Sequence, residues 1–125
     1  MPGVVVKQED DLEVKYGGAF KLIRHGLGIS SFGIQLINLP AGTDGYPEHD
    51  HAGDGQEELY TVLEGAAELT AGGETIALEP GVWVAIQPDE TRKIVTTGSA
   101  AKLLVIGGVP GKAFEVSSFS VPDEA

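Results

Sequence analysis

The chain has 125 residues, 18 of them glycine and seven proline, no cysteine, and a formal charge of −11. That length closes one hydrophobic core and not two, so a single domain is expected. The lack of cysteine excludes disulfides, thiolate metal sites and cysteine nucleophiles, and leaves chemistry to His, carboxylates, hydroxyls or a bound cofactor. The acidity speaks against nucleic acid as a partner, because a phosphate backbone would be repelled, and acids spread along the chain read as solvation.

At the N-terminus the only apolar run is Val4 to Val6, followed by the acidic Glu9-Asp10-Asp11-Leu12-Glu13. This is too short for a secretory core, and no segment approaches the roughly 20 apolar residues of a membrane helix. A cytoplasmic protein with no membrane partner is the expectation. Gly and Pro then cut the chain into short pieces with no sustained helical spacing of apolar residues. The pieces read as strands over Ala19 to Ile23, Ile29 to Leu39, Glu57 to Leu63, Ala66 to Ala71, Glu74 to Leu78, Val82 to Gln87, Lys93 to Thr97 and Ala101 to Ile106. Short strands at this spacing predict an all-β sandwich or barrel.

Gly72-Gly73 predicts a two-residue hairpin, since two glycines supply the positive φ angles such a turn demands. The register then pairs Ala71 with Glu74, Thr70 with Thr75 and Leu69 with Ile76. After the turn at Glu79-Pro80-Gly81, the apolar run Val82-Trp83-Val84-Ala85-Ile86 reads as a central strand covered on both sides. From Gly107 onward the chain is richer in Gly, Ser and Pro and is expected to run over the outside, with Phe114 and Phe119 as lid residues or dimer contacts. Barrel core from about 19 to 106 and C-terminal extension from 107 to 125 thus form one domain.

His49-Asp50-His51 is the densest chemical signal: on an extended chain, imidazoles one residue apart point to the same side and can share an ion. Glu58 opens the next strand and shares a face with Tyr60 and Val62. A carboxylate there is costly unless paired or metal-bound. Two neutral imidazoles and a carboxylate suit Zn, Fe(II), Mn or Ni. The same residues, with Glu48, Asp50 and Asp54 alongside, also read as a solvated acidic turn. Gln35, Tyr60 and Trp83 are candidate cavity residues by strand position, each with an ordinary core role as the alternative. His25 stands alone and reads as a structural or surface group.

The stretch GYPEHDHAGDGQEELYTVLEG, Gly45 to Gly65, resembles the first motif of the cupin superfamily, G-x5-H-x-H-x3–4-E-x6-G. Counting back from Gly65 selects Glu58, not Glu57, as the carboxylate. Gly45 lies closer to His49, and Glu58 farther from His51, than the motif asks. The following run GAAELTAGGETIALEPGVWVAI is similar to the strand, hairpin and Pro-Gly turn between the two cupin motifs. The resemblance covers about Leu36 to Ile106 and implies a double-stranded β-helix, a jelly-roll barrel, with metal on His49, His51 and Glu58. The second motif, G-x5-P-x-G-x2-H-x3-N, is degenerate: counted from Gly81, its His falls on Arg92 and its Asn on Thr96. A guanidinium offers no lone pair to a metal.

Two functions follow from that resemblance and its departure. One is a metal-dependent enzyme of dioxygenase, isomerase or lyase type acting on a small acid, with Arg92, Tyr60 and Gln35 as ligand-binding residues and Arg92 holding a carboxylate. The other is a non-catalytic binding or sensing module whose degenerate site is metal-free, with Arg92 paired to Glu58. Competition for Glu58 implies weak, partial metal occupancy. Exposed sheet edges imply a homodimer, with Val4 to Val6 and the tail near Phe119 and Val121 as contact segments.

Overall fold

The computed structural model describes residues 3–123. Among the described residues nine strands follow in chain order: β1 (Val14–Lys15), β2 (Phe20–Lys21), β3 (Gly33–Leu39), β4 (Glu57–Gly65), β5 (Ala67–Ala71), β6 (Glu74–Leu78), β7 (Trp83–Ile86), β8 (Arg92–Val95) and β9 (Ala101–Gly108). They form a six-stranded antiparallel sheet, β1-β2-β3-β9-β4-β7, and a three-stranded sheet, β6-β5-β8. The two sheets make a β-sandwich of jelly-roll type.

The β5–β6 hairpin has the register expected from its two glycines, with Ala71 opposite Glu74, Thr70 opposite Thr75 and Leu69 opposite Ile76. Gly72 and Gly73 adopt φ of 58° and 78°, the left-handed region that a side chain disfavours. Leu22, Ile37, Tyr60, Leu69, Leu78 and Leu103 are among the side chains buried between the sheets.

Four local expectations are corrected. The apolar run at Val82 to Ile86 is not central: β7 lies at an edge, pairs only with β4, and leaves Trp83 63% exposed, so Trp83 is no cavity residue. The central place belongs to β9, between β3 and β4, whose alternate residues are buried. Period-two burial on β9 came from Lys102, Leu104 and Ile106 being only partly covered, which a hydrophobic run conceals. Finally, the strand read at Ala19 to Ile23 lasts two residues before the chain turns into the short helix α1 (Ile23–Leu27), and β3 begins only at Gly33. Five helical residues are too few to display a helical period.

Beyond β9 the chain turns back across the sandwich. Lys15 Nζ donates to the Ser118 carbonyl at 2.9 Å and Tyr16 OH to the Phe119 carbonyl at 2.8 Å. The Phe119 ring packs on Tyr16 and Phe20, with centroids 4.8 and 5.3 Å apart. The C-terminal segment is therefore a strap held against β1 and β2.

Candidate functional site

Strand β4 and the loop before it build the site. The loop is fixed along its length: the His49 and Arg92 backbones exchange hydrogen bonds of 3.0 and 2.8 Å, His51 N donates to the Pro88 carbonyl at 2.7 Å, and Lys93 Nζ donates to the Tyr46 carbonyl at 2.6 Å. Thr96, where the second motif has Asn, is buried, and the Thr43 amide donates to its hydroxyl at 2.8 Å. The extended loop puts His49 and His51 on one side, as the spacing requires.

Both imidazoles aim at Glu58. His51 Nε2 lies 3.2 Å and His49 Nε2 3.8 Å from Glu58 Oε1. Their other ring nitrogens are occupied: His49 Nδ1 lies 3.0 Å from the Pro47 carbonyl, and His51 Nδ1 3.1 Å from both Asp54 oxygens. An acceptor on Nδ1 keeps a proton there, so that loss of the Nε2 proton facing Glu58 frees the Nε2 lone pair for an ion, which is how metal-binding histidines are oriented. One donor atom from each of His49, His51 and Glu58 falls within 4.8 Å of the others. The donor set, two imidazoles and a carboxylate, fits a divalent first-row metal.

Glu58 needs a gap in the neighbouring strand. Gly107 on β9 is its register partner, and a Cβ there would come within 3.3 Å of Glu58 Cγ and 2.7 Å of Gln56 Oε1. On the same face of β4, Tyr60 OH donates to Glu58 Oε1 at 2.8 Å. Arg92 Nη1 stands 3.4 Å from that oxygen, and Nη2 donates to the Gln87 carbonyl at 2.9 Å. Arg92 is fully buried, and its Nε and Nη1 have no hydrogen-bond partner among the described residues.

These contacts set the charges. Burial pushes the Glu58 carboxyl up, but the His49 and His51 imidazoles turned on it, the His51 charge and the Tyr60 hydrogen bond outweigh it and hold the group at about 2. The hydrogen bond to Glu58 raises His51 above the usual imidazole range, against a smaller opposing effect of burial. Tyr60 is pushed up by burial, then by Tyr46 and Glu58, and stays a donor.

A cavity of about 280 Å³ opens beside this cluster, close to the lower end of the ~300–1,000 Å³ that small-molecule sites span. His49, His51 and Glu58 line it, as do Gln35 on β3 and Phe114 and Phe119 of the strap. Arg92 and Tyr60 do not line it; both contact Glu58, which does. The expected role of Arg92 in holding a ligand carboxylate thus lacks contact with the cavity. His25 sits on α1, 4.0 Å from Glu13, away from the site. Sequence reasoning missed Gly107, and it read Asp54 only as an acidic neighbour. The spacing of Asp54 three residues after His51 was the available signal.

The family model described as a cupin domain matches residues 35–107, and the chain belongs to the cupin family. No curated protein matches the sequence. A cupin protein from Bacteroides fragilis is 26% identical with a TM-score of 0.68, over 96% of this chain and 99% of its own. A structure from Silicibacter pomeroyi, described as a sugar phosphate isomerase from a cupin superfamily, is 26% identical with a TM-score of 0.66, covering 79% of this chain and 72% of its own. A chain from crystal structures of DMSP lyases is 25% identical with a TM-score of 0.56, over 64% of this chain and only 40% of its own.

Proposed function

We propose that this protein is a metal-dependent cupin enzyme, of isomerase or lyase type, that holds one divalent ion on His49, His51 and Glu58 and takes a small organic molecule in the adjoining cavity. The observation that carries this reading is the pair of Nδ1-anchored imidazoles turned on one carboxylate. The cupins described as isomerase and lyase support the reaction type. When bound, the ion would act as a Lewis acid on a carbonyl or hydroxyl oxygen of the substrate. The chain's own residues hold the imidazole tautomers through Pro47 and Asp54, keep Glu58 ionised, and use Tyr60 to fix that carboxylate. Phe114 and Phe119 give the cavity an apolar side.

A specific observation favours a second reading, a metal-free binding module: Arg92 is buried 3.4 Å from Glu58. A buried guanidinium requires a carboxylate partner, and that carboxylate is then less available to an ion. Metal occupancy is accordingly weak and partial in wild type. The two readings separate on metal content of untagged protein and on whether added Fe(II), Mn, Ni or Zn raises the melting temperature, as binding linkage requires. Uptake of one ion per chain with a higher melting temperature supports the enzyme; no shift with any of the four supports the binding module.

The assembly in this reading is a homodimer. Val4, Val5 and Val6 are 57%, 54% and 81% exposed, an apolar run that a second copy would cover. Sedimentation showing only monomer at high micromolar concentration would overturn it. Among the described residues no helix is long and apolar enough to cross a membrane; the absence of cysteine accords with a cytoplasmic location.

A further inference from the structure

Gln35 on β3 lines the cavity, and its Oε1 is buried with no hydrogen-bond partner among the described residues. A carbonyl oxygen deprived of water and left unpaired is costly, so a donor brought by the ligand is the natural complement. Gln35 pairs with Val105 on β9, which pairs in turn with Tyr60 on β4. Gln35 is therefore two strands from the Glu58 strand, about 10 Å at ordinary strand spacing. One small molecule can reach from Glu58 to Gln35.

The rest of the wall decides what lies between. Ile37, Val105, Phe20, Phe114 and Phe119 present apolar surface. Among the described residues that line the cavity there is no Lys or Arg. Lys15, under the strap, is already engaged by the Ser118 carbonyl and by Asp123 at 3.4 Å. Asp54 and Glu58 add negative charge. The His51 charge is already balanced by Glu58 at 3.2 Å and Asp54 at 3.1 Å, so a phosphate or a dicarboxylate would bring two charges to a wall that offers no free cation for either among the described residues, a strongly unfavourable transfer.

We infer that the cavity selects an uncharged ligand with an apolar ring or branched body and a hydroxyl directed at Gln35, and that Gln35 sets this preference. The inference rests on the cavity being the ligand site, as proposed above, but not on the ion. A hydroxyl both donates and accepts, so it can pair with either end of the amide. The apolar body replaces water against the strap aromatics.

Benzyl alcohol, toluene and benzoate vary one substituent on one ring, and glucose 6-phosphate stands for a phosphorylated sugar. Their dissociation constants for the full chain are measured by ligand-observed NMR, with EDTA and again with Zn(II), on wild type and Gln35→Met. In EDTA, wild type should bind benzyl alcohol at least as tightly as toluene, although the alcohol is better hydrated, and both charged probes at least about tenfold more weakly. Gln35→Met, similar in volume but without the amide, should shift the alcohol-to-toluene ratio about tenfold toward toluene. An unshifted ratio overturns the role of Gln35. Tighter benzoate or glucose 6-phosphate binding in EDTA, or no binding of either neutral ring, overturns the ligand class. If the variant does not fold, the four wild-type constants still decide the class. Zn(II) uptake is read separately by calorimetry: its failure removes the metal reading and leaves the probe series standing, and the reverse also holds.

Discussion

Along the wall formed by β4 and its loop, four groups converge on a single oxygen: Tyr60 OH, both histidine Nε2 atoms and Arg92 Nη1 lie 2.8 to 3.8 Å from Glu58 Oε1. Along the strap wall the contacts are spread out, with ring faces against ring faces and two hydrogen bonds that end on backbone carbonyls. The first arrangement concentrates its energy in one carboxylate, so a single change is felt by every partner. The second distributes it, so each change is small and the strap can shift without unmaking the core. A cavity with one rigid, charged wall and one yielding, apolar wall is suited to fixing a reacting atom while admitting a variable body.

Glu58→Ala strikes the concentrated wall hardest. It removes the carboxylate ligand and leaves Arg92 buried without its ion-pair partner, so a loss of about 3–5 kcal/mol is expected in urea unfolding, together with loss of metal uptake. A loss under about 1 kcal/mol, ordinary for a surface substitution, would mean that Arg92 does not depend on Glu58, and the contrast between the walls would fail.

Arg92→His acts on the same oxygen from the other side. Removing a fixed positive charge and adding a neutral imidazole should tighten divalent metal binding about tenfold or more and bring it to one ion per chain. Calorimetric titration of both proteins, with His49→Ala as the control that abolishes binding, measures this. Tight one-to-one binding by wild type, unimproved in Arg92→His, would show that the guanidinium does not compete.

The pH dependence sharpens the comparison further. His51 is raised above its ordinary value by Glu58, and a proton on His51 competes with metal. Metal affinity should therefore begin to fall at a pH above the ~6.5 of a free imidazole. Affinity unchanged from about pH 8 to pH 5 would assign binding to carboxylates alone. Without metal the sign differs. The raised His51 contributes stability that is complete below about 6.5 and is lost as pH rises through its higher folded value. Glu58, held at about 2 against an ordinary 4.5, contributes stability present above 4.5 and lost as pH falls toward 2. Metal-free protein should thus be most stable between those limits, and added metal should move the optimum upward.

The polar wall was legible in the sequence because its ligands lie within ten residues and obey strand alternation: H-x-H and the Glu58–Tyr60 pair need only local geometry. The glycine hairpin was legible for the same reason. What escaped notice depends on partners far along the chain. Gly107 matters only because β9 places it against Glu58, and the run at Val82 to Ile86 looks central until β7 is seen at an edge. Arg92 was placed near Glu58 by motif counting alone. Its separation from the cavity wall could not be counted, because the direction of a long side chain depends on what fills the space around it. The strap was readable as an extension, but its hold on Tyr16 spans 103 residues and has no local signature.

Tyr16 provides the smallest test, on the distributed wall. Its backbone has φ of 56°, a left-handed conformation that a bulky side chain adopts only when its surroundings hold it. The surroundings here are the Phe20 ring at 4.9 Å, the Phe119 ring at 4.8 Å and the hydrogen bond to the Phe119 carbonyl. Tyr16→Phe keeps the ring contacts and the backbone conformation and deletes only that bond, which is partly replaced by water at an exposed site. The expected loss is about 0.5–1 kcal/mol, at the lower end for a neutral hydrogen bond. Hydrogen exchange should speed up at Phe119 and its neighbours in the strap, while amides of β4 and of the His49–His51 loop keep their protection. Faster exchange at both places would mean that the two walls open as one unit. If only the strap responds, it opens on its own, and ligand release can proceed there while Glu58 and its partners stay in place.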